Sequence, residues 1–458
     1  MREDDFTGDA GAAIDAALDA MDRLEAGAVA NPDEGRRVGH YWLRAPARAP
    51  EPAQDYAIER SWAQLDEFAA RLDGGALKGS DGCPFEHVIW IGIGGSALGP
   101  QLLADALAGD AARGLTVLDN TDPDGIQRAL AQLPCPLARA LVVVVSKSGS
   151  TVETRNGMRE VMHAYARAGL ELAAHAVAIT GEGSTLDQLA AGGEGPPWLA
   201  RFPLWSWVGG RTSVCSTVGL VLMALLGIDW RAFLAGAAAM DDATRARPAR
   251  RNPAALLARM WHRQAGGRGE KVMVVLPYRD RLVLLSRYLQ QLIMESLGKR
   301  LDRAGQEVWQ GLTVLGNKGS TDQHAYVQQL RDGLDSFFAI FVRVLEDREP
   351  DAPFVEPGVR SGDCLDGFYL GTRAALRERG RASATLVLTR LDARALGAIV
   401  ALFERAVGLY AELININAYH QPGVEAGKQA ARAVLEAQAR LLAALSPAPR
   451  TAAELAAA

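Results

Sequence analysis

Cysteine is scarce in this 458-residue chain: the four present, Cys83, Cys135, Cys215 and Cys364, form no C-x-x-C pair. That spacing offers neither a disulfide framework nor a cysteine zinc site, and it suits a reducing cytoplasm. A basic excess is missing as well, since 49 Lys plus Arg stand against 54 Asp plus Glu, for a net charge of −5 and a pI near 5.9. A surface that reads phosphate backbone needs the opposite balance, so no nucleic-acid partner is expected. The longest apolar run, Val218–Ile228, has about half the ~20 residues of a bilayer span. The N-terminus, MREDDFTGDAGAAIDAALDAMDRL, is acidic where a signal peptide would be basic. No membrane partner is expected, and the expected location is the cytoplasm. Seven histidines show no metal-ligand spacing, so no metal site is assigned. Lysine is rarer still: only Lys78, Lys147, Lys271, Lys299, Lys318 and Lys428 occur. A lysine can release a proton where an arginine cannot, which makes each of these worth inspection.

What is present is the composition of a folded protein, 49% apolar and 22% charged, long enough for two or three domains. Residues 1–60 read as an N-terminal helical segment. Strand-like runs then alternate with helical patterns: His87–Ile93, Leu115–Leu118, Leu141–Val145 and Ala174–Thr180. Such alternation predicts βαβ units and a parallel sheet covered on both faces, a first α/β domain over 61–240. The arginine-rich stretch Asp241–Pro253 reads as a solvated linker. A second alternation, with KVMVVLPY at Lys271, Phe337–Val344 and Ala384–Thr389, predicts a second α/β domain over 255–435 with C-terminal helices. Residues 436–458 read as a tail, and their halt in mid-helix pattern suggests a natural product that runs further.

Six segments carry candidate chemistry. Gly92-Ile-Gly-Gly-Ser-Ala-Leu-Gly99 leads from a strand into a helix and gathers free backbone N–H groups where a phosphate could sit. It also fits G-x-G-x-x-A, with Asp119 about where a ribose-binding acid would lie, so an NAD-dependent dehydrogenase is one alternative. Ser146-Lys-Ser-Gly-Ser-Thr151, followed by Glu153-Thr154, concentrates hydroxyls at the C-terminal end of a strand. An N-cap needs one hydroxyl, whereas a monophosphate cradle uses several. Gly209-Gly-Arg-Thr-Ser213 presents Arg211 on flexible glycines, suited to an anion. On the helix predicted over Arg281–Arg300, Leu282, Leu285, Leu289, Leu292 and Ile293 form the buried stripe, and Gln291 and Glu295 share a face. Gly298 is the predicted terminator, placing Glu295 in a last turn whose dipole disfavours a carboxylate, with Lys299 as an opposing i+4 partner. In Gly316–Gly333, Thr321 or Asp322 could cap a helix with His324 in its first turn, which favours neutral imidazole. Finally, Pro422 suits a first helical position, which places Gln421 and Lys428 on one face.

In this order, the stretches IGIGGSALGP, SKSGSTVETRN, VGGRTS, QQLIMESLGKR, GNKGSTDQHAYVQQLRDG and HQPGVEAGKQAA make the chain resemble the glucose-6-phosphate isomerase family from about residue 60 to 435. The resemblance implies two αβα sandwiches with mostly parallel sheets of the sugar isomerase type, plus N- and C-terminal helices. It implies reversible aldose–ketose isomerisation of a hexose 6-phosphate without metal or organic cofactor. Gly95, Ser96, Ser146, Lys147, Ser148 and Thr151 match phosphate-binding positions, and Gln291 and Gln421 match residues lining the sugar phosphate. Glu295 matches the base that moves a proton between C1 and C2, and Arg211 the residue that steadies the cis-enediol(ate). His324 and Lys428 match the pair linked to ring opening, the histidine arriving from the partner subunit, so a homodimer is implied. Ser148 stands where many relatives carry threonine, which keeps the hydroxyl. A non-catalytic sugar-phosphate sensor would need the cradle but not Glu295, Arg211, His324 and Lys428 together.

Overall fold

Runs of β-branched residues bounded by glycine and proline become strands, because branched side chains pack well on a pleated surface buried on both faces. The protein is represented by a computed structural model that describes residues 3–109, 113–193, 195–347, 351–445 and 451–452. In its first half β1 (His87–Ile91), β2 (Gly114–Leu118), β3 (Ala140–Ser146), β4 (Ala176–Thr180) and β5 (Ala200–Pro203) form a parallel sheet in the order β2-β1-β3-β4-β5. The second half contains β6 (Val272–Pro277), an antiparallel hairpin of β7 (Lys299–Leu301) and β8 (Glu307–Gln310), β9 (Val314–Leu315) and β10 (Phe337–Val344). A small antiparallel pair, β11 (Phe354–Glu356) and β12 (Val359–Arg360), precedes β13 (Ser383–Leu388). Here the parallel sheet runs β13-β10-β6-β9. Neither β5 nor the two hairpins is marked in the sequence by a long β-branched run.

Every residue of β1, β3 and β4 is buried. On one face of the first sheet Ile89, Val142 and Val144 pack with Val161 and Tyr165 of the helix Val152–Arg167. In the second sheet Val274, Leu276, Phe337 and Phe341 pack with Tyr369 of the helix Ser361–Glu378. Burying an aliphatic or phenylalanine side chain of this kind contributes ~1.5–3 kcal/mol.

The stretch read as a solvated linker is instead tied into the fold. The helix Trp230–Thr244 runs into it, and Asp241 is buried. Arg245 and Arg247 pair with acids of the helix Gly8–Glu25, Arg245 with Glu25 at 2.6 Å and Arg247 with Asp19 at 2.8 Å. Asp241 in turn lies 3.0 Å from Arg44 and 3.4 Å from Arg405 of the buried helix Ala393–Leu413. Opposite charges on a distant segment thus hold Arg245 and Arg247, while Arg250 and Arg251 stay exposed as the composition suggested. Residues 1–418 form one compact unit and residues 419–458 another.

β1 and β3 are neighbours, and the chain leaves them in opposite directions across the sheet. Ligands of open α/β sheets bind outside the carboxyl ends of strands at such a switch point. Two of the candidate loops, after Ile91 and after Ser146, emerge there.

Candidate active site

After β1 the chain forms a 3₁₀ turn, Gly94–Ser96, and then the helix Leu98–Leu107. A Cβ at Gly95 would lie 1.9 Å from the carbonyl oxygen of Gly210, so only glycine lets this turn rest against the arginine-bearing loop. Ser213 Oγ donates to Gly210 O at 2.7 Å and faces Gly95 O at 3.3 Å, joining the same two loops. Asp119, the acid of the dinucleotide alternative, accepts from Gln101 Nε2 at 2.8 Å. A cleft of about 270 Å³ opens beside the turn, lined by Ile93, Gly94, Leu98, Asp119, Arg287, Gln290 and Gln291.

After β3, Ser146 Oγ donates to Thr151 Oγ1 at 3.2 Å and accepts from Gly149 N at 3.1 Å, while Ser148 and Ser150 hydroxyls lie 2.9 Å apart. The helix Val152–Arg167 begins here with no side-chain bond from its N-cap Thr151. The hydroxyls therefore shape the loop and do not cap the helix, whose first N–H groups and positive dipole end face the same place. Lys147 is half-buried, donating to Val208 O at 3.0 Å; burial, and then Arg36, push its pKa down to about 8.

The helix predicted over Arg281–Arg300 is not uniform. A 3₁₀ turn at Asp280–Leu282 gives way to an α segment, Leu285–Leu289, and then to a π-helical turn, Gln290–Glu295. The predicted stripe is buried throughout, and Gly298 closes the run with its N–H on Met294 O at 2.8 Å. π turns recur at functional sites because they re-aim side chains within a helix. A Cβ at Gly94 would lie 3.0 Å from Gln291 Nε2, which places this turn against the loop after β1. Glu295 Oε2 lies 3.3 Å from Arg211 Nε. That oxygen is buried and takes no hydrogen bond among the described residues. Arg211 is itself buried in the 3₁₀ turn Gly210–Thr212, with Nη1 donating to Ser296 Oγ at 3.3 Å and Ala418 O at 3.2 Å. Burial pulls its pKa below the ordinary arginine range, with Glu295 opposing.

Two expectations change. His324 does not sit in the first turn of a helix: it ends the 3₁₀ turn Thr321–His324, exposed, and the following helix starts at Val327. Asp322 explains this, since its buried carboxylate does not cap that helix but accepts from Asn317 N at 3.1 Å, Asn317 Nδ2 at 3.3 Å and the Tyr326 hydroxyl. Lys299 does not pair side chain to side chain with Glu295; from β7 it folds back onto main-chain carbonyls. In the unit 419–458, Gln421 is the N-cap residue of the helix Pro422–Ala444, with Pro422 in its first turn. The Lys428 side chain lies outside the described residues. Among the described residues no group of three or more His, Cys, Asp or Glu side chains could hold a metal ion, and no helix is long and apolar enough to cross a membrane. The contribution of Ser296 and Lys299 was not visible in periodicity; for Lys299 the scarcity of lysine was the available signal.

Two parallel sheets, the first with candidate loops emerging at its switch point, define an open-sheet α/β protein. The structure matches a crystal structure of a glucose-6-phosphate isomerase from Chlamydia trachomatis with a TM-score of 0.83 and 29% identity, over 92% of this chain and 84% of that one. The chain belongs to the phosphoglucose isomerase family, whose sequence profile matches residues 11–352 and 374–446. It is 60% identical over 425 residues to a glucose-6-phosphate isomerase from a Synechococcus species, covering 92% of this chain and 79% of that protein. To the Geobacter sulfurreducens protein of the same name it is 58% identical over 434 residues, covering 94% and 82%.

Proposed function

We propose that this protein interconverts glucose 6-phosphate and fructose 6-phosphate, a step of glycolysis and gluconeogenesis. The relatives of that name, at 58–60% identity over most of both chains, support the substrate. The observation that carries the chemistry is the buried Glu295 oxygen beside Arg211, free of hydrogen bonds within the described residues and held by charge alone.

Glu295 takes the proton from C2 of open-chain glucose 6-phosphate, leaving a cis-enediolate charged at O1; the hydroxyl proton passes from O2 to O1, and Glu295 returns its proton to C1 as the carbonyl forms at C2. A positioned general base of this kind is worth ~10²–10⁴-fold. As the carboxylate becomes neutral the enediolate becomes negative, and Arg211 passes from one anion to the other without leaving its place. Gly95, Ser96, Ser146, Lys147, Ser148 and Thr151 hold the phosphate, remote from the reacting carbons, so that its binding orients the sugar. Gln291 and Gln421 line the sugar. His324 and Lys428 open and close the ring; the exposure of His324 supports its reaching the site of a second subunit in a homodimer. The protein acts in the cytoplasm.

The test is conversion of fructose 6-phosphate to glucose 6-phosphate, read through a coupled NADP-linked dehydrogenase in EDTA. Turnover that saturates with substrate is expected. A folded protein that binds fructose 6-phosphate and does not turn it over would favour a sugar-phosphate sensor.

A further inference from the structure

Where a helix ends, its last carbonyls lose their intrahelical partners. At the end of the π turn Gly298 N–H takes Met294 O, and the next carbonyls, of Glu295 and Ser296, are taken by Lys299: its Nζ donates to them at 2.8 and 2.7 Å. Arg211 meets the same two residues by their side chains, through Nε toward Glu295 and Nη1 onto Ser296 Oγ. One dipeptide is therefore held from two sides, its main chain by an ammonium and its side chains by a guanidinium.

Lys299 is only 5% exposed, and no carboxylate among the described residues forms a salt bridge with it. A buried cation without such a partner is costly, and the contacts of this one are the two carbonyls of the dipeptide that carries Glu295.

We propose that Lys299 is a positioning residue of the isomerase: its buried ammonium, seated on the Glu295 and Ser296 carbonyls, fixes the main chain at the end of the π turn and so aims the Glu295 carboxylate at the reacting carbons. This rests on the role given to Glu295 above. The charged groups facing the ammonium come from three segments: Arg211, Glu295 itself, and Asp33, which also accepts from Asn417 Nδ2 at 2.5 Å. Burial first, then Arg211, bring the Lys299 pKa down to about 7, with Glu295 and Asp33 opposing.

The test has a kinetic arm and a spectroscopic arm, both on the full chain. In Lys299→Met, kcat falls by about 10- to 100-fold while KM for fructose 6-phosphate stays within about 3-fold, because the base is misaimed and the phosphate site is untouched. A folded Lys299→Met protein with kcat unchanged, or one whose loss appears only in KM, would overturn the proposal, leaving Lys299 a purely structural cap. The second arm needs neither activity nor a folded Met variant. With 13Cε-labelled lysine the chain gives six resonances, assigned to Lys299 by elimination through single Lys→Arg variants at the other positions. Lys299 is expected to titrate near 7, and lower still in Glu295→Gln and Asp33→Asn, which remove its favourable charges. Titration at the ordinary lysine value of 10.5 would show an amine in solvent, and the proposal would fail whatever the enzyme does. An inactive wild type with a Lys299 resonance titrating near 7 would instead count against the isomerase reading.

Discussion

Replacing Arg211 by alanine isolates the group proposed to distinguish the reacting state from the bound sugar. Its Nε lies 3.3 Å from Glu295 Oε2, with side-chain exposures of 6% and 19%. At an effective dielectric near 20, unit charges at that separation attract by about 5 kcal/mol. Burial of the guanidinium opposes that attraction and lowers its pKa, so the net contribution to the resting protein is smaller. What matters for rate is the difference between states: in the resting site the guanidinium faces the carboxylate, and in the intermediate it faces the enediolate. Loss of one such preorganised donor costs ~2.7–4 kcal/mol, or ~10²–10³ in kcat. The proposed phosphate site lies on other loops, so KM should change by less than about 3-fold. Arg211→Lys keeps a charge but loses the fork that also reaches Ser296 and Ala418, so it should fall between wild type and alanine. The assay is the coupled isomerase rate against fructose 6-phosphate concentration, with calorimetric binding of the same sugar. An alanine variant with kcat within about 10-fold of wild type, or one whose loss appears only in KM, would refute the assignment.

Three further outcomes follow from the same geometry. Asp241→Ala removes a buried carboxylate that lies within ion-pair distance of both Arg44 and Arg405, and urea unfolding should show a loss of ~3–5 kcal/mol. Gly95→Ala sets a methyl 1.9 Å from Gly210 O, so the two loops must part; activity should fall ~10²-fold while circular dichroism stays near wild type. Lys147, pushed down to about 8 in the folded state from 10.5, holds fewer protons there than in the unfolded chain. Stability should therefore rise with pH between about 8 and 10.5, the penalty being complete below that window, and Lys147→Met should flatten the rise in denaturant midpoints.

The sequence made the two parallel sheets legible because β1, β3, β4, β6 and β10 are buried on both faces and read as continuous apolar runs. β5 and the hairpins were not, since Ala200–Pro203 buries only Phe202 and Glu307–Gln310 mixes exposed and partly buried positions. The hydroxyl loop after β3 was visible from composition alone, and its geometry removes the capping role that rivalled it. The π turn was not visible: the buried stripe Leu285, Leu289, Leu292 and Ile293 satisfies an α-helical period, and the widening at Gln290–Glu295 leaves that pattern intact. His324 was misplaced because a capping pattern is also satisfied by a buried aspartate that binds its own loop. The linker reading failed for a related reason, since Glu25 and Asp19, which tie Arg245 and Arg247 to another helix, lie more than two hundred residues away.

Hydrogen exchange decides whether Glu295 carries the proton between C1 and C2. Fructose 6-phosphate is incubated in D2O with wild type and with Glu295→Gln, and deuterium at C1 of the ketose and C2 of the aldose is followed by NMR. Exchange by the wild type, and none by the variant while it still binds the sugar phosphate, is the predicted result. Exchange by the variant at more than a few per cent of the wild-type rate would contradict it and require another base.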